Sequence, residues 1–301
     1  MTTARNGHVP GTPVGMTRFD DIYHQPDPRP YFRTLGALGY QTPHHAQSVF
    51  RSLLPLTGFP RPRGHHTGGT GGGPTATVLD ICCSYGINAA LLNHDVTLQE
   101  LFEHYTTPQA AHLTTAELAD RDRAYYAARR RPDAVPVIGL DISAPAVDYA
   151  RAAGLLDDGF TENLETATPS PALYRATRGT RLITVTGGAS FLSPRTFRPL
   201  LQNMPERPWV AAFVLRTGSY RHIADGLAGL GMTTEKDTSR TYPQRRFTDD
   251  AEQRYAVTAV SATGDDPRGK ETEGHFHTAL HLTRPAPQAA TRPLHTLLRT
   301  D

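Results

Sequence analysis

Only two of the 301 residues are cysteines, Cys82 and Cys83, and they are adjacent. Neighbouring cysteines rarely close an unstrained disulfide, and alone they cannot supply a zinc cage. A chain of this length buries a sizeable core without covalent staples, so a reducing, cytoplasmic setting is expected. Long apolar runs are missing too: nothing approaches the roughly 18 residues that span a bilayer. The opening MTTARNGHVPGTPVG lacks the continuous apolar core of a secretion signal. Charge of one sign is also absent, with 31 Lys and Arg against 29 Asp and Glu. A net charge of +2 creates no field that would draw nucleic acid or an anionic membrane. The expected partner is therefore a small molecule, with neither nucleic acid nor membrane involved.

Glycine-rich phosphate signatures are incomplete. The run TGGTGGG is not followed by Gly-Lys-Ser/Thr, which argues against a P-loop. The chain is nonetheless rich in turn residues, and these divide it. Residues 1–17 read as a flexible tail, and 18–60 as an aromatic, proline-punctuated cap segment. Within the cap, Phe50, Leu53 and Leu54 share a short helix face. Residues 61–76 read as a glycine-rich linker, 77–285 as an α/β domain, and 286–301 as a polar tail.

From residue 77 strands and helices alternate. TVLDI (77–81), VPVIGLDI (135–142), RLITVTG (181–187) and WVAAFVLR (209–216) are apolar, β-branched runs. Thr97 with Glu100, and Thr114 with Glu117, have capping-box spacing and open two helices. Ser143 caps a helix with Pro145 in its first turn and Gly154 at its end. Two late β-rich runs, RYAVTAVSA (254–262) and HFHTALHLTRP (275–285), predict an antiparallel C-terminal hairpin. Strands alternating with helices imply a doubly wound, mostly parallel sheet covered on both faces.

Such sheets bind ligands beyond the carboxyl ends of their strands. Two turns stand there, VLDICCSYG (78–86) and GLDISAPAVDYARAAG (139–154). With these motifs the chain resembles the class I S-adenosylmethionine-dependent methyltransferases over roughly residues 76–260. The resemblance implies a Rossmann-like methyltransferase fold and S-adenosylmethionine as cofactor. It also implies that Asp80 and Gly86 hold the methionine end, Asp141 the ribose, and Ile142 the adenine face. Cys82, Ser84 and Asn88 complete the first turn. Glu162 or Asn163, in TENLE, would stand near the adenine amino group, and Thr186 and Gly187 near the methyl. The family pattern acid-x-Gly-x-Gly-x-Gly is here Asp80-x-Cys82-x-Ser84-x-Gly86. A left-handed backbone at Cys82 or Ser84 would cost about 1 kcal/mol or more. The first turn also does not read Gly-x-Gly-x-x-Gly, which counts against a nicotinamide dehydrogenase.

The segment 93–134 lengthens the gap between the two motifs and is expected to fold over the site as a lid. Aromatic cap residues Tyr23, Tyr31, Phe32 and Tyr40 can wall a pocket. Candidates for acid–base work are Tyr23, Asp27 and His94, with Asp21, Arg29 and Tyr31 placed against substrate. The cysteines read as packing residues rather than nucleophiles. His275 and His277 share a strand face but lack a third ligand, so no metal is expected. Gln244-Arg-Arg-Phe247 reads as a loop with solvated arginines, or as a carboxylate-binding group. The first expectation for activity is methyl transfer to a small metabolite. Its rivals are a repurposed pocket for elimination, cyclisation or rearrangement, and a non-catalytic ligand-binding subunit. A homo- or hetero-oligomeric partner is compatible with each.

Overall fold

The computed structural model describes residues 15–59 and 75–298. Most of the expected tail and linker, residues 1–14 and 61–74, lies outside the described residues. Eight strands form one sheet: β1 (Thr77–Ile81), β2 (Val137–Asp141), β3 (Asp158–Thr161), β4 (Thr180–Thr186), β5 (Trp209–Leu215), β6 (Met232–Lys236), β7 (Tyr242–Arg246) and β8 (His275–Pro285). Their order is β3-β2-β1-β4-β5-β8-β6, with β7 also paired to β8. The first five are mutually parallel, and β8 runs antiparallel to its three neighbours. The chain is thus the doubly wound, Rossmann-like α/β fold that the alternation predicts, and its order reverses between β1 and β4.

Helices α1 (Arg29–Ala37) and α2 (Thr42–Leu53) form the cap, and α3 (Ile87–Asn93) follows the first turn. The insertion supplies α4 (Leu98–Thr106), α5 (Pro108–His112) and α6 (Thr115–Ala127), and α7 (Ala144–Ala152) follows the second turn. Next come α8 (Pro171–Thr177), α9 (Pro194–Asn203), α10 (Arg221–Ala228), α11 (Asp250–Ala262), α12 (Ala286–Thr291) and α13 (Leu294–Leu297). Both predicted capping boxes form, and Ser143 caps α7.

Alternate residues of the strands feed two cores, as the two-residue period of a strand requires. Val78, Leu182, Ala211 and Phe213 pack against the cap and α3–α7, while Leu79, Ile183, Val210 and Ala212 face α8–α10. The cap belongs to the first core: Phe50 meets Phe213 edge-on at 5.7 Å, and Leu53 is fully buried.

Three expectations need correction. Residues 254–262 are not a strand but most of α11, because Asp249 caps the helix by accepting the amide of Glu252. The antiparallel partners of β8 are instead β5, β6 and β7. Residues 286–298 are not a polar tail but two short helices that bury Ala289, Leu294 and Leu297. The insertion 93–134 is not a lid. Its helices stand behind α1, where Phe102 packs edge-on and Tyr105 stacks at 4.3 Å on Phe32, and none of its residues lines the central cavity. Phe32 accordingly faces this interface.

Candidate functional site

A cavity of about 710 Å³ opens beyond the carboxyl ends of β1, β2 and β4, within the size range of small-molecule sites. The first turn forms its floor. Cys82 and Ser84 are the non-glycine residues with positive φ among the described residues, at 59° and 49°. The glycine-like backbone is therefore kept although two glycines are replaced. Hydrogen bonds hold it there: the amides of Cys82 and Cys83 donate to Leu140 O at 2.8 and 3.3 Å, and that of Gly86 to Cys83 O at 2.9 Å. Neighbouring glycines make room for the two cysteine side chains of the turn. A Cβ on Gly188 would collide with Cys82 Sγ, and one on Gly139 would stand 2.8 Å from Cys83 Sγ. Burial first, then the nearby carboxylates, pushes both thiols well above their ordinary range. Neither is a thiolate nucleophile at neutral pH.

Asp141 joins the two turns. Its Oδ2 accepts the amide of Ser84 at 2.8 Å and its Oδ1 that of Ser143 at 2.9 Å. The left-handed residue of the first turn is thereby fixed by the acid that ends the second strand. Asp141 lines the cavity, and each carboxylate oxygen keeps a further acceptor position. Beside it Ile142 is 59% exposed, and Phe191, which follows β4, is 42% exposed. These are the exposed large hydrophobic residues among those described, and both border this one cavity.

Asp80 does not line the cavity, contrary to its expected contact with ligand. It lies beneath the turn, where Oδ1 accepts from Thr184 Oγ1 at 2.6 Å and Asn88 Nδ2 at 2.9 Å, while Oδ2 has no partner. Burial outweighs these hydrogen bonds and pushes its carboxyl up to about 7. Asn88 also donates to Thr186 Oγ1 at 2.9 Å, so a chain of contacts runs from Asp80 to the β4 turn. Asn88, Thr186 and Gly187 do line the cavity. Gly86 turns away from it, because Ala150 and Leu155 of the α7 side fill the space beside its α-carbon.

Glu162 and Asn163 stand at the rim with their acceptors engaged. Glu162 takes the amide and hydroxyl of Ser170 at 2.9 and 2.6 Å, and Asn163 Oδ1 takes the amide of Glu165 at 3.0 Å. Glu165, which sequence reading passed over, also lines the cavity. Burial alone would raise its carboxyl, but Ser193 and Thr196 donate to it and hold it below the ordinary range.

The cap contributes Tyr23, Tyr31 and Tyr40. Tyr31 meets the rings of Tyr23 and Tyr40 edge-on at 5.7 and 6.3 Å. The Tyr40 hydroxyl lies 3.2 Å from where a Cβ on Gly187 would stand, so the cap reaches the β4 turn. Burial pushes the Tyr40 phenol up to about 12 and those of Tyr23 and Tyr31 well above their usual range. Tyr23 therefore keeps its proton at neutral pH, where its hydroxyl can donate a hydrogen bond. Two side chains fasten this cap to the turns. The Tyr85 hydroxyl lies 3.0 and 2.9 Å from the carbonyls of Ile22 and Gln25, and Ser143 Oγ donates to Tyr23 O at 2.6 Å.

Four other candidates fall outside the cavity. His94 is buried at the far end of α3, its Nδ1 3.0 Å from Ala90 O. Asp27 is buried against Arg29 and Thr115, with oxygen–nitrogen distances of 2.8 and 2.6 Å to Arg29. Arg29 also donates to the carbonyls of Ala110 and Leu113, both at 2.8 Å, and so bolts the cap to the insertion. Asp21 is exposed and does not border the cavity. Residues 244 and 245 are the converse case. They lie on β7 rather than in a loop, both are buried, and both line the cavity. Arg245 is not solvated but paired with Glu252. Among the described residues no three His, Cys, Asp or Glu side chains converge as metal ligands.

No family model matches the chain, and no curated protein matches it. Solved structures resemble it at low identity. The plantazolicin methyltransferase BpumL in complex with SAH is 11% identical, with 88% of this chain and 96% of that one covered and a TM-score of 0.36. A SAM-dependent methyltransferase from Aquifex aeolicus is 10% identical, covering 68% of this chain and 81% of that one, with a TM-score of 0.32. Precorrin 8W decarboxylase from Methanobacterium thermoautotrophicum is 14% identical, covering 69% and 81%, with a TM-score of 0.33.

Proposed function

We propose that this chain is an enzyme that binds S-adenosylmethionine in the cleft and transfers its methyl group to a small metabolite held between cap and sheet. The observation that carries this reading is the first turn. Cys82 and Ser84 retain left-handed backbone where the motif has glycine, and Asp141 locks that shape while facing the cavity. Strain of about 1–3 kcal/mol per such residue persists where the surroundings hold it, and it gathers at ligand sites.

Bound there, the cofactor would supply an electrophilic methyl group on a sulfonium. The chain's own residues have separate tasks. Asp141 has acceptor positions left for two ribose hydroxyls, and Ile142 offers an apolar face for a flat ring. Asn88 and Thr186 hold the β4 turn in register with the first turn. Tyr23, Tyr31 and Tyr40 exclude water and offer neutral hydroxyls. Alignment and desolvation are what such a transfer asks of the protein. The acids at the rim, Glu162 and Glu165, are held in place by amides and hydroxyls.

The rival reading, a pocket repurposed for elimination or rearrangement, needs acid and base together on the cap. Two such pairs stand on the cap: Asp27 and Arg29 face the insertion, whereas Arg18 and Asp20 line the cavity, bound to each other. Calorimetric titration of the stripped protein with S-adenosylmethionine and S-adenosylhomocysteine tests the proposal. Micromolar binding is expected, and no binding at millimolar ligand overturns it.

A further inference from the structure

Behind the cavity, tyrosine hydroxyls are paired. That of Tyr85 meets the carbonyls of Ile22 and Gln25, and those of Tyr105 and Tyr149 both donate to Asp122 at 2.6 Å. The cap departs from this pattern. Tyr31 and Tyr40 are only 4% and 7% exposed, yet their hydroxyls, like that of Tyr23, have no hydrogen-bond partner among the described residues. Nor are these oxygens sealed inside the protein, as the unpartnered hydroxyls of Tyr220 and Tyr242 are. All three residues line the cavity, and their hydroxyls keep contact with it.

Packing fixes the aim of these groups. The Tyr31 ring is met edge-on by Tyr23, Phe32, Tyr40 and Tyr85 at centroid distances of 5.1 to 6.3 Å. Thr42 stands beside the Tyr40 hydroxyl, but its Oγ1 is buried and makes no hydrogen bond. Tyr40 reaches the β4 turn at Gly187, the glycine whose side its hydroxyl fills. A phenol both donates and accepts. Solvent can serve these hydroxyls while the cavity is open, and a ligand that displaces the solvent must bring a new partner for each proton. A buried donor left unpaired is costly, whereas under-satisfied oxygen lone pairs are better tolerated. The ligand part that meets these tyrosines is therefore an acceptor.

The geometry points to Tyr31 and Tyr40, with Tyr23 beside them, as the donors that hold the methyl acceptor by a carbonyl oxygen, that of a ketone, lactone or amide. This rests on reading the cleft as a joint cofactor and acceptor site. Because Tyr40 reaches the β4 turn, the carbonyl is anchored next to Thr186 and Gly187. The hydroxyls orient the acceptor and take no proton from it.

Two matched probes test it: 4-chromanone, whose ketone accepts hydrogen bonds, and chroman, the same ring system without the ketone. Their affinities are measured by calorimetry on the full chain, with and without S-adenosylhomocysteine. Infrared difference spectroscopy reads the ketone stretch of bound 4-chromanone. The expected result is that 4-chromanone binds about tenfold more tightly than chroman, with its stretch below the frequency seen in an apolar solvent. Tyr31→Phe combined with Tyr40→Phe keeps both rings and removes both hydroxyls, and there the preference and the lowered stretch are lost. The infrared reading on the unaltered protein carries the test should that variant fail to fold. Equal binding of the two probes, an unshifted stretch, a preference that survives in the double variant, or no binding of 4-chromanone at about 10 mM each overturns the inference. So does a preference that vanishes once S-adenosylhomocysteine is bound, which gives the hydroxyls to the cofactor. A preference that depends on the tyrosines without S-adenosylhomocysteine binding overturns only the cofactor reading. The reverse result overturns only the role of the tyrosines.

Discussion

Gly188 leaves open the space that the Cys82 side chain fills, although the two residues lie on different strand-end turns. Cys82 holds a left-handed φ of 59°, which aims its sulfur at the β4 turn. Gly188→Ala should therefore destabilise the protein by about 1–3 kcal/mol through overpacking. Cys82→Gly combined with Gly188→Ala should recover most of that loss, because the clash disappears. Thermal melts of the four proteins in the cycle check it, and simple additivity of the two substitutions would remove the coupling.

Asp141 fastens Ser84 and Ser143 while presenting its outer lone pairs to the cavity. Asp141→Ala is expected to weaken S-adenosylhomocysteine binding about tenfold or more, since hydrogen bonds to a charged group are among the stronger ones. Asp141→Asn should fall between the two, because a carboxamide keeps one acceptor oxygen. Unchanged affinity in the alanine variant would take ribose contact away from this residue.

The stability that the Asp80 carboxyl contributes should fall as the pH rises from about 4 to about 7. Burial holds the Asp80 carboxyl at about 7 in the folded chain, against about 4 when unfolded. Between those values the folded state binds the extra proton, so the contribution is complete below about pH 4 and is lost as pH climbs through about 7. Asp80→Asn removes this titrating group, so the wild-type minus variant difference in melting temperature should fall over this range. A wild-type minus variant difference that does not change with pH would contradict the assignment.

Asp27 and Arg29 support the cap from outside the cavity. Asp27→Ala leaves Arg29 without its carboxylate in a largely buried position, and a loss of about 3 kcal/mol is expected. Ligand affinity at a temperature where the variant is folded should stay within about twofold. Burial would raise the Asp27 carboxyl, but hydrogen bonds from Arg29 and Thr115 outweigh it and hold it below the ordinary range. The pair's contribution is thus present at neutral pH and lost on acidification through that lowered value. Paired melts and calorimetry decide the matter, and a large drop in affinity would return Asp27 to the ligand site.

The buried strands β1, β2, β4 and β5 were legible as apolar runs, and Asp141 and Ile142 were legible because they end one of those runs. β3 was not, since Asp158-Gly-Phe-Thr is an edge strand with a single apolar side chain. In 254–262 the apolar residues fit both periods: Tyr255, Val257 and Ala259 alternate, while Ala256 and Val260 are four apart. The cap formed by Asp249 on Glu252 was the signal that separated helix from strand. Asp27 and Arg29 have ordinary catalytic chemistry, and only partners distant in sequence, Thr115, Ala110 and Leu113, reveal what they hold together, whereas His94 is bound to Ala90 one turn back on its own helix. Gln244 and Arg245 needed a bulge, where three steps on β7 match two on β8, and a bulge is a property of two strands paired, not of one read alone.

The two staples from Tyr85 and Ser143 set a rule for building chimaeras of this fold. Segment 19–25 cannot be exchanged as a module, because its carbonyls are read by hydroxyls that belong to the turns after β1 and β2. A graft that brings a foreign cap must bring those hydroxyls with it, so the cap and the two turns are inherited together.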